Sequence, residues 1–282
     1  MESKIVTDKE LGQKIIKLYN SGISQDVLSR EYHVSKKILR RFLVDNEISI
    51  RDHSHKKRKY TLNENYFDKI DTPNKAYILG LLFADGCNSG NKTHTVSIAL
   101  QERDTKILTL INKELESNRP IATRMLHEKN PNWQNSCLLS ITNKHMSDTL
   151  DSLGMMQNKS LILQFPEYLE KDLVRHFIRG YFDGDGCIQW GVSNFITLAS
   201  TKEFCESVNK ICEEELGIRG SILFTYNKES NTRILDICGK VKVYKFLDFI
   251  YHDAELYIKR KYEKYLMICD VLIQKDKQSL LA

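Results

Sequence analysis

The sequence repeats itself at a fixed interval. Tyr77-Ile78-Leu79-Gly80-Leu81-Leu82-Phe83-Ala84-Asp85-Gly86-Cys87 and Phe177-Ile178-Arg179-Gly180-Tyr181-Phe182-Asp183-Gly184-Asp185-Gly186-Cys187 correspond position for position, one hundred residues apart in a chain of 282. The residues C-terminal to each segment correspond as well. A strand-like stretch (93–101; 187–200) leads into an amphipathic helical stretch (104–116; 202–216), two further strand-like stretches and another helix. Ile107, Leu108, Ile111 and Leu115 recur at helical spacing, as do Phe204, Val208, Ile211 and Leu216. Turn residues at 130–132 and 227–231 place a hairpin in each half. Each half therefore reads α-β-β-α-β-β-α, with the first hairpin strand of the first half poorly marked, and the fold class is α+β built from two pseudo-symmetric units.

Residues 1–50 lie outside the repeat and read as three helices over 10–20, 24–31 and 35–45. Ser24 and Ser35 are suited to N-cap the second and third. Short helix, tight turn and helix is the spacing of a helix-turn-helix DNA-binding domain, with Val27, Leu28, Val34, Ile38 and Leu39 as its expected core. The plainer reading is a structural three-helix bundle. The basic run 51–59 comes next, and Lys56, Lys57 and Arg58 in it suit phosphate contacts. The expected organisation is 1–50 helix-turn-helix, 51–73 basic linker, 74–168 first repeat and 169–282 second repeat.

A net charge of +5 permits a polyanionic partner without requiring one. Seven cysteines, an odd number without any C-x-x-C, read as reduced thiols. With a mean hydropathy of -0.41 and no long apolar run, no membrane span is expected. The first residues lack an apolar stretch of signal-peptide length, so the expected location is cytoplasmic, in a bacterial or phage-infected cell, or organellar, and not secreted.

The repeated segment carries the chemistry. Gly80 and Ala84, and Gly180 and Gly184, lie four residues apart, so each pair falls on one helix face where another backbone can approach closely. The first segment is apolar nearly all round and must be buried, whereas Arg179 and Asp183 make the second less uniform. Each helix then ends in Asp-Gly, with glycine the usual residue after a helix terminus. The aspartates are the anomaly. A helix C-terminus carries partial negative charge, so Asp85 and Asp185 each cost stability, and pairing the helices would make them repel. One Asp-Gly is most simply a capped turn, but the same electrostatic cost in both halves points to a cation between them. Carboxylate ligands without Cys or His at metal spacing select a hard ion such as Mg²⁺, and Mg²⁺ on paired carboxylates serves phosphoryl transfer.

Residues 78–86 and 178–186 resemble the nine-residue LAGLIDADG motif, and residues 74–275 resemble a double-motif, monomeric LAGLIDADG homing endonuclease. The resemblance implies a saddle of two αββαββα halves over double-stranded DNA, acting as a monomer that hydrolyses both strands with Mg²⁺, for which Mn²⁺ can substitute. It assigns the metal to Asp85 and Asp185 and leaves open the part of the backbone at Ala84. The sixth motif position, often acidic in the family, is Asp183 in the second copy and Phe83 in the first. The resemblance also marks Gln101, with Ser200 in the other half, as ordering water at the scissile phosphate, and Lys159 with Lys259 or Lys261 as the basic groups that stabilise phosphate charge. A two-stranded ribbon fits the major groove, so base readout is expected from the strands and their turns. Arg124, His127, Lys129, Trp133, Gln134, Gln189, Trp190, Asn194, Tyr226, Lys228 and Arg233 are the candidates.

The competing reading is a DNA- or RNA-binding protein that keeps the saddle without cleavage, as a transcriptional regulator or intron maturase. A protein-splicing element lacks its chemistry, since the sequence starts with Met and has no terminal His-Asn. A purely structural α+β protein leaves the paired Asp-Gly ends unexplained.

Overall fold

The computed structural model describes residues 8–21, 23–50, 59–126, 128, 130–225 and 231–279, with side chains as far as 273. Lys56, Lys57, Arg58, His127, Lys129, Tyr226 and Lys228 lie outside the described residues. The chain divides into two compact units, Met1–Lys59 and Tyr60–Ala282.

The first unit holds α1 (Lys9–Asn20), α2 (Gln25–Glu31) and α3 (Lys36–Asp45). Each starts on a side-chain cap: Asp8, Ser24 and Ser35 accept hydrogen bonds from the backbone N–H groups of Leu11, Val27 and Ile38 at 3.1, 3.3 and 3.3 Å. Leu28, Val34 and Leu39 are buried as expected, together with Ile15, Tyr19, Phe42 and Leu43. Val27 and Ile38 are corrected: they are 41% and 40% exposed. Each precedes a buried leucine by one position, which on a helix turns it away from the core that α1 fills with Ile15 and Tyr19.

In the second unit each half runs helix, two strands, helix, two strands, helix. The first comprises α4 (Pro73–Asp85), β1 (Gly86–Asn88), β2 (Thr95–Gln101), α5 (Thr105–Glu114), β3 (Ala122–Arg124), β4 (Ser136–Thr142) and α6 (Lys144–Ser152). The second comprises α7 (Lys171–Asp185), β5 (Gly186–Gln189), β6 (Phe195–Thr201), α8 (Lys202–Leu216), β7 (Ser221–Phe224), β8 (Thr232–Cys238) and α9 (Lys240–Tyr251), and α10 (Lys259–Ser279) closes the chain. The sheets are antiparallel with matching orders, β1-β2-β4-β3 and β5-β6-β8-β7. The stretch 187–200 is a hairpin rather than one strand, turning through Gly191 at φ 130° and held by Asn194, whose Oδ1 accepts the Gly191 N–H at 3.2 Å.

Alternation fixes which sheet face is covered. Val96, Ile98 and Leu100 of β2 and Cys137, Leu139 and Ile141 of β4 are buried, with α4 and α6 packed against β2 and α5 against β4, as are Ile196 and Leu198 of β6 and Leu235 and Ile237 of β8 beneath α8 and α9. The intervening positions form the open faces.

The pairing of α4 with α7 is the most extensive inter-element packing in the chain. Ala76 to Phe83 are all buried, as an all-round apolar helix requires. The glycine positions explain the close approach. A Cβ on Gly80 would overlap the Phe177 carbonyl oxygen and lie 2.9 Å from the Tyr181 nitrogen, and one on Gly180 would overlap the Tyr77 carbonyl oxygen and lie 2.8 Å from the Leu81 nitrogen. Backbone meets backbone reciprocally, with Phe83 and Phe177 in edge contact at 5.2 Å beside the crossing.

Candidate active site

Both motif helices end at their aspartates and pass directly into strands. Gly86 and Gly186 are therefore extended (φ -79° and -91°) and not the left-handed terminators the sequence suggests. Their lack of a side chain matters for space: a Cβ on Gly86 would lie 2.7 Å from Cε of Met155, and one on Gly186 would overlap the Phe182 ring.

Asp85 and Asp185 come together at the paired helix ends. A Cβ on Gly184 of the opposite helix would lie 2.9 Å from Oδ2 of Asp85, so this carboxylate overhangs its neighbour's backbone. Partial burial, then the charge of Asp185, push Asp85 up to about 6, against opposing pulls from Lys261, Lys159 and Arg260. Asp185 reaches solvent, yet crowding by protein atoms raises it too, opposed by Lys159, the Tyr181 hydroxyl and Lys261. Asp85 accepts no side-chain or backbone hydrogen bond among the described residues, which leaves its oxygens available to an external ligand.

Two sequence candidates, Lys159 and Lys261, are buried beside these carboxylates. The Lys159 ammonium donates to the carbonyls of Ala84 (3.3 Å) and Gly86 (2.8 Å), and that of Lys261 to those of Phe182 (2.5 Å), Asp183 (2.9 Å) and Gly186 (2.5 Å). Both lysines thus satisfy the final carbonyls of the motif helices and supply positive charge where each helix is negative. Their placement differs from a free phosphate-binding group, because all three N–H donors of Lys261 and two of the three of Lys159 are committed to the backbone. Burial lowers both, Lys261 to about 8. Lys259 is not in the site: it is exposed and pairs with Glu263 at 3.4 Å.

Lys261→Met is expected to destabilise the fold by about 2–4 kcal/mol, because three carbonyl oxygens lose a charged donor and the neighbouring carboxylates lose a counter-charge. Urea unfolding measures this, and a change below about 1 kcal/mol contradicts the clamp.

Sequence reasoning missed a buried polar network here. Asp183 accepts hydrogen bonds from the Tyr77 hydroxyl (2.8 Å), the Tyr251 hydroxyl (2.5 Å) and the Ile258 backbone N–H (2.7 Å). Fully buried Arg179 donates to the carbonyls of Leu256 and Ile250 at 3.0 Å each and to Nδ1 of His176 at 2.7 Å, and faces the Tyr77 ring at 5.2 Å. Burial and the adjacent guanidinium hold His176 down at about 4, consistent with a neutral acceptor. The signal was present in Arg179 and Asp183 interrupting an apolar helix. Their partners, distant in sequence, were not visible. In the first half Phe83 replaces Asp183 and packs on Phe177, so that half has no such network at this position.

Gln101 ends β2 on the open face, in one cross-strand row with Ser136 and Arg124. Its counterpart is corrected. Gly86 pairs with Ile98 and Gly186 with Leu198, so Gln101 matches Thr201 and not Ser200. Ser200 faces inward and receives the Tyr181 hydroxyl at 2.9 Å, while Thr201 caps α8 and donates to the Leu163 carbonyl at 2.5 Å. Trp133, Gln134 and Gln189 are exposed, and Trp190 is half-buried against the core. Arg233 pairs with Ser200 and so shares the covered-face parity of Leu235, with its guanidinium 4.4 Å from the Phe224 ring. The open faces instead carry Cys87 and Cys187, both exposed thiols at equivalent positions.

Residues 172–251 match the family described as LAGLIDADG-like domain. The match begins near the start of α7 and ends at the last residue of α9, so it contains Asp185 and the whole second sheet. None of the curated proteins compared matches the chain. Solved structures with a similar fold include the I-LtrWI LAGLIDADG homing endonuclease bound to target DNA, 14% identical with a TM-score of 0.48 over 76% of this chain and 93% of that one. Another is the LAGLIDADG homing endonuclease I-GzeII in complex with its DNA target, 12% identical with a TM-score of 0.49 over 75% and 93%. A third is the meganuclease I-SmaMI bound to uncleaveable DNA, 11% identical with a TM-score of 0.48 over 73% and 92%.

Among the described residues no group of three or more His, Cys, Asp or Glu side chains is placed to hold a metal ion, and no helix is long and apolar enough to cross a membrane. The neighbouring carboxylates of Asp85 and Asp185, oxygen ligands without a Cys or His beside them, fit a hard divalent cation.

The raised Asp85 gives a pH dependence. Between the ordinary value of 3.8 and about 6 the folded state binds more protons than the unfolded one, so stability falls as pH rises through this window and levels off above it. The metal-free protein is expected to lose about 1–3 kcal/mol in this way. Thermal melts across the range check it, and Asp85→Asn should remove this component. A rise in stability from Asp85 over the same window contradicts the assignment.

Proposed function

We propose that this chain is a divalent-metal-dependent DNA endonuclease of the LAGLIDADG kind, which hydrolyses both strands of a long double-stranded site as a monomer. The observation that carries the reading is the pair of aspartates at adjoining helix ends, each raised by burial and Asp85 without a donor. Asp85 and Asp185 would hold the cation, Mg²⁺ or Mn²⁺. When bound, such an ion polarises the phosphate and lowers the pKa of a water molecule.

The rest is the work of the chain itself. Lys159 and Lys261 fix the helix ends that carry the carboxylates and leave net positive charge beneath them. Exposed Gln101 is available to order water at the first half-site, whereas Thr201 is committed to Leu163, so the half-sites differ. Arg124, Gln134 and Trp133 on one side, and Gln189 on the other, are the exposed candidates for contact with DNA. Asn194 holds its own turn and Arg233 lies on the covered-face parity, which makes them weaker candidates.

The test is incubation with a plasmid library carrying varied inserts, in Mg²⁺ and in Mn²⁺. Linear plasmid with a consistent site supports the proposal. Salt-sensitive duplex binding without cleavage in either metal supports the non-cleaving regulator or maturase instead.

A further inference from the structure

We infer that α3 of the N-terminal unit is a recognition helix for the major groove of duplex DNA, presenting Lys37, Arg40, Arg41 and Val44. This does not rest on the nuclease reading.

The local architecture positions that helix. α2 and α3 are joined by the four residues Tyr32 to Ser35, in which His33 adopts a left-handed conformation at φ 49°. Val34 and Leu39 enter the shared core, and Ser35 caps α3. With Leu39, Phe42 and Leu43 buried, about 3.6 residues per turn leaves the other arc facing out. Val44 and Lys37 lie near its centre, with Arg40 and Arg41 to either side.

Charge selects the occupant. α3 contains four basic residues and a single acid at its last position. Lys36 is paired with Asp26, and Arg41 lies 3.7 Å from Asp45. Lys37 and Arg40 have no ion pair among the described residues. Ordinary solvated helix faces mix both signs, whereas the centre of this one is uniformly positive around an apolar residue, Val44, that is 56% exposed. A polyanion with an apolar feature suits that pattern: phosphates and guanine edges for the cations, a thymine methyl for the valine. The groove must admit a helix, which the major groove of DNA does and the deep, narrow one of A-form RNA does not.

The test uses the full-length chain and a fluorescein-labelled mixed-sequence DNA duplex several helical turns long, in EDTA to prevent cleavage. Lys37→Ala/Arg40→Ala is expected to weaken binding about tenfold near physiological salt and to reduce the slope of log K against log salt by about 2. Lys14→Ala/Lys17→Ala removes the same charge from exposed positions of α1 and is expected to change the slope by less than about half as much. The altered residues are exposed, and thermal melting verifies that each variant is folded. Should the first variant melt early, Lys37→Gln/Arg40→Gln gives the same comparison. Unchanged affinity and slope, an equal effect from the α1 variant, or tighter binding to double-stranded RNA than to DNA each overturns the inference.

Discussion

Under the proposed endonuclease function, Asp85→Asn alone, and Asp185→Asn alone, are expected to abolish plasmid linearisation, leaving nicked circles at most. Each substitution is nearly isosteric and removes one of the two anionic groups at the helix junction. If catalysis depends on a cation shared or bracketed by the pair, loss of either charge removes stabilisation that no neighbouring acid replaces, since no third carboxylate joins the site among the described residues. The rate of double-strand cleavage should fall at least about a hundredfold.

The control lies in stability. Removing a carboxylate that is partly buried and repelled by its neighbour relieves a cost, so neither Asn variant should unfold more readily than wild type at pH 7. Lower stability with lower activity would mean that the aspartates are structural. Unchanged linearisation by either variant would remove the paired-carboxylate mechanism. Duplex binding in EDTA should persist in both.

The largest expected effect on stability comes from a single methyl group. Gly80→Ala or Gly180→Ala should destabilise the second unit by about 3–5 kcal/mol or prevent its folding, because the new Cβ meets backbone atoms of the opposite helix and neither backbone can rotate away. Separating α4 from α7 would also open the aromatic contacts across the crossing and displace both aspartates. Gly217→Ala is the comparison. Gly217 sits at φ 62° after α8 with nothing within 4 Å of its hypothetical Cβ, so only the left-handed backbone penalty of about 1 kcal/mol applies. Urea denaturation of the three variants should therefore separate steric overlap from backbone preference. Equal effects at Gly80 and Gly217 would contradict the close helix crossing. Gly184→Ala probes the same interface nearer the site, where the added methyl would press on Ala84 and on the Asp85 carboxylate.

How far these features were legible in the sequence depended on the range of the interaction. Helix starts at Ser24 and Ser35, the amphipathic faces of α5 and α8, the small-residue stripe through Gly80 and Gly180, and the exceptional aspartates all follow from local spacing, because caps and periodicity act within a few residues. The repeat doubled the weight of each, and so the two α+β halves and the candidate pair Asp85 and Asp185 could be read directly.

Other features needed the folded chain. The register that matches Gln101 with Thr201, the commitment of Lys159 and Lys261 to carbonyl oxygens, and the choice of Lys261 over Lys259 depend on contacts between residues far apart in sequence. Gly86 and Gly186 looked like helix terminators, but their extended backbone shows that crowding, and not left-handed freedom, requires glycine there. Burial of Arg179 and Asp183 was equally invisible, since a charge can enter a core only when distant tyrosines, carbonyls and a backbone N–H converge on it. The sequence by itself determined the repeat, the order of its elements and the two acids. Tertiary structure decided which surrounding groups support them, because burial and hydrogen-bond partnership are properties of converging elements rather than of any one segment.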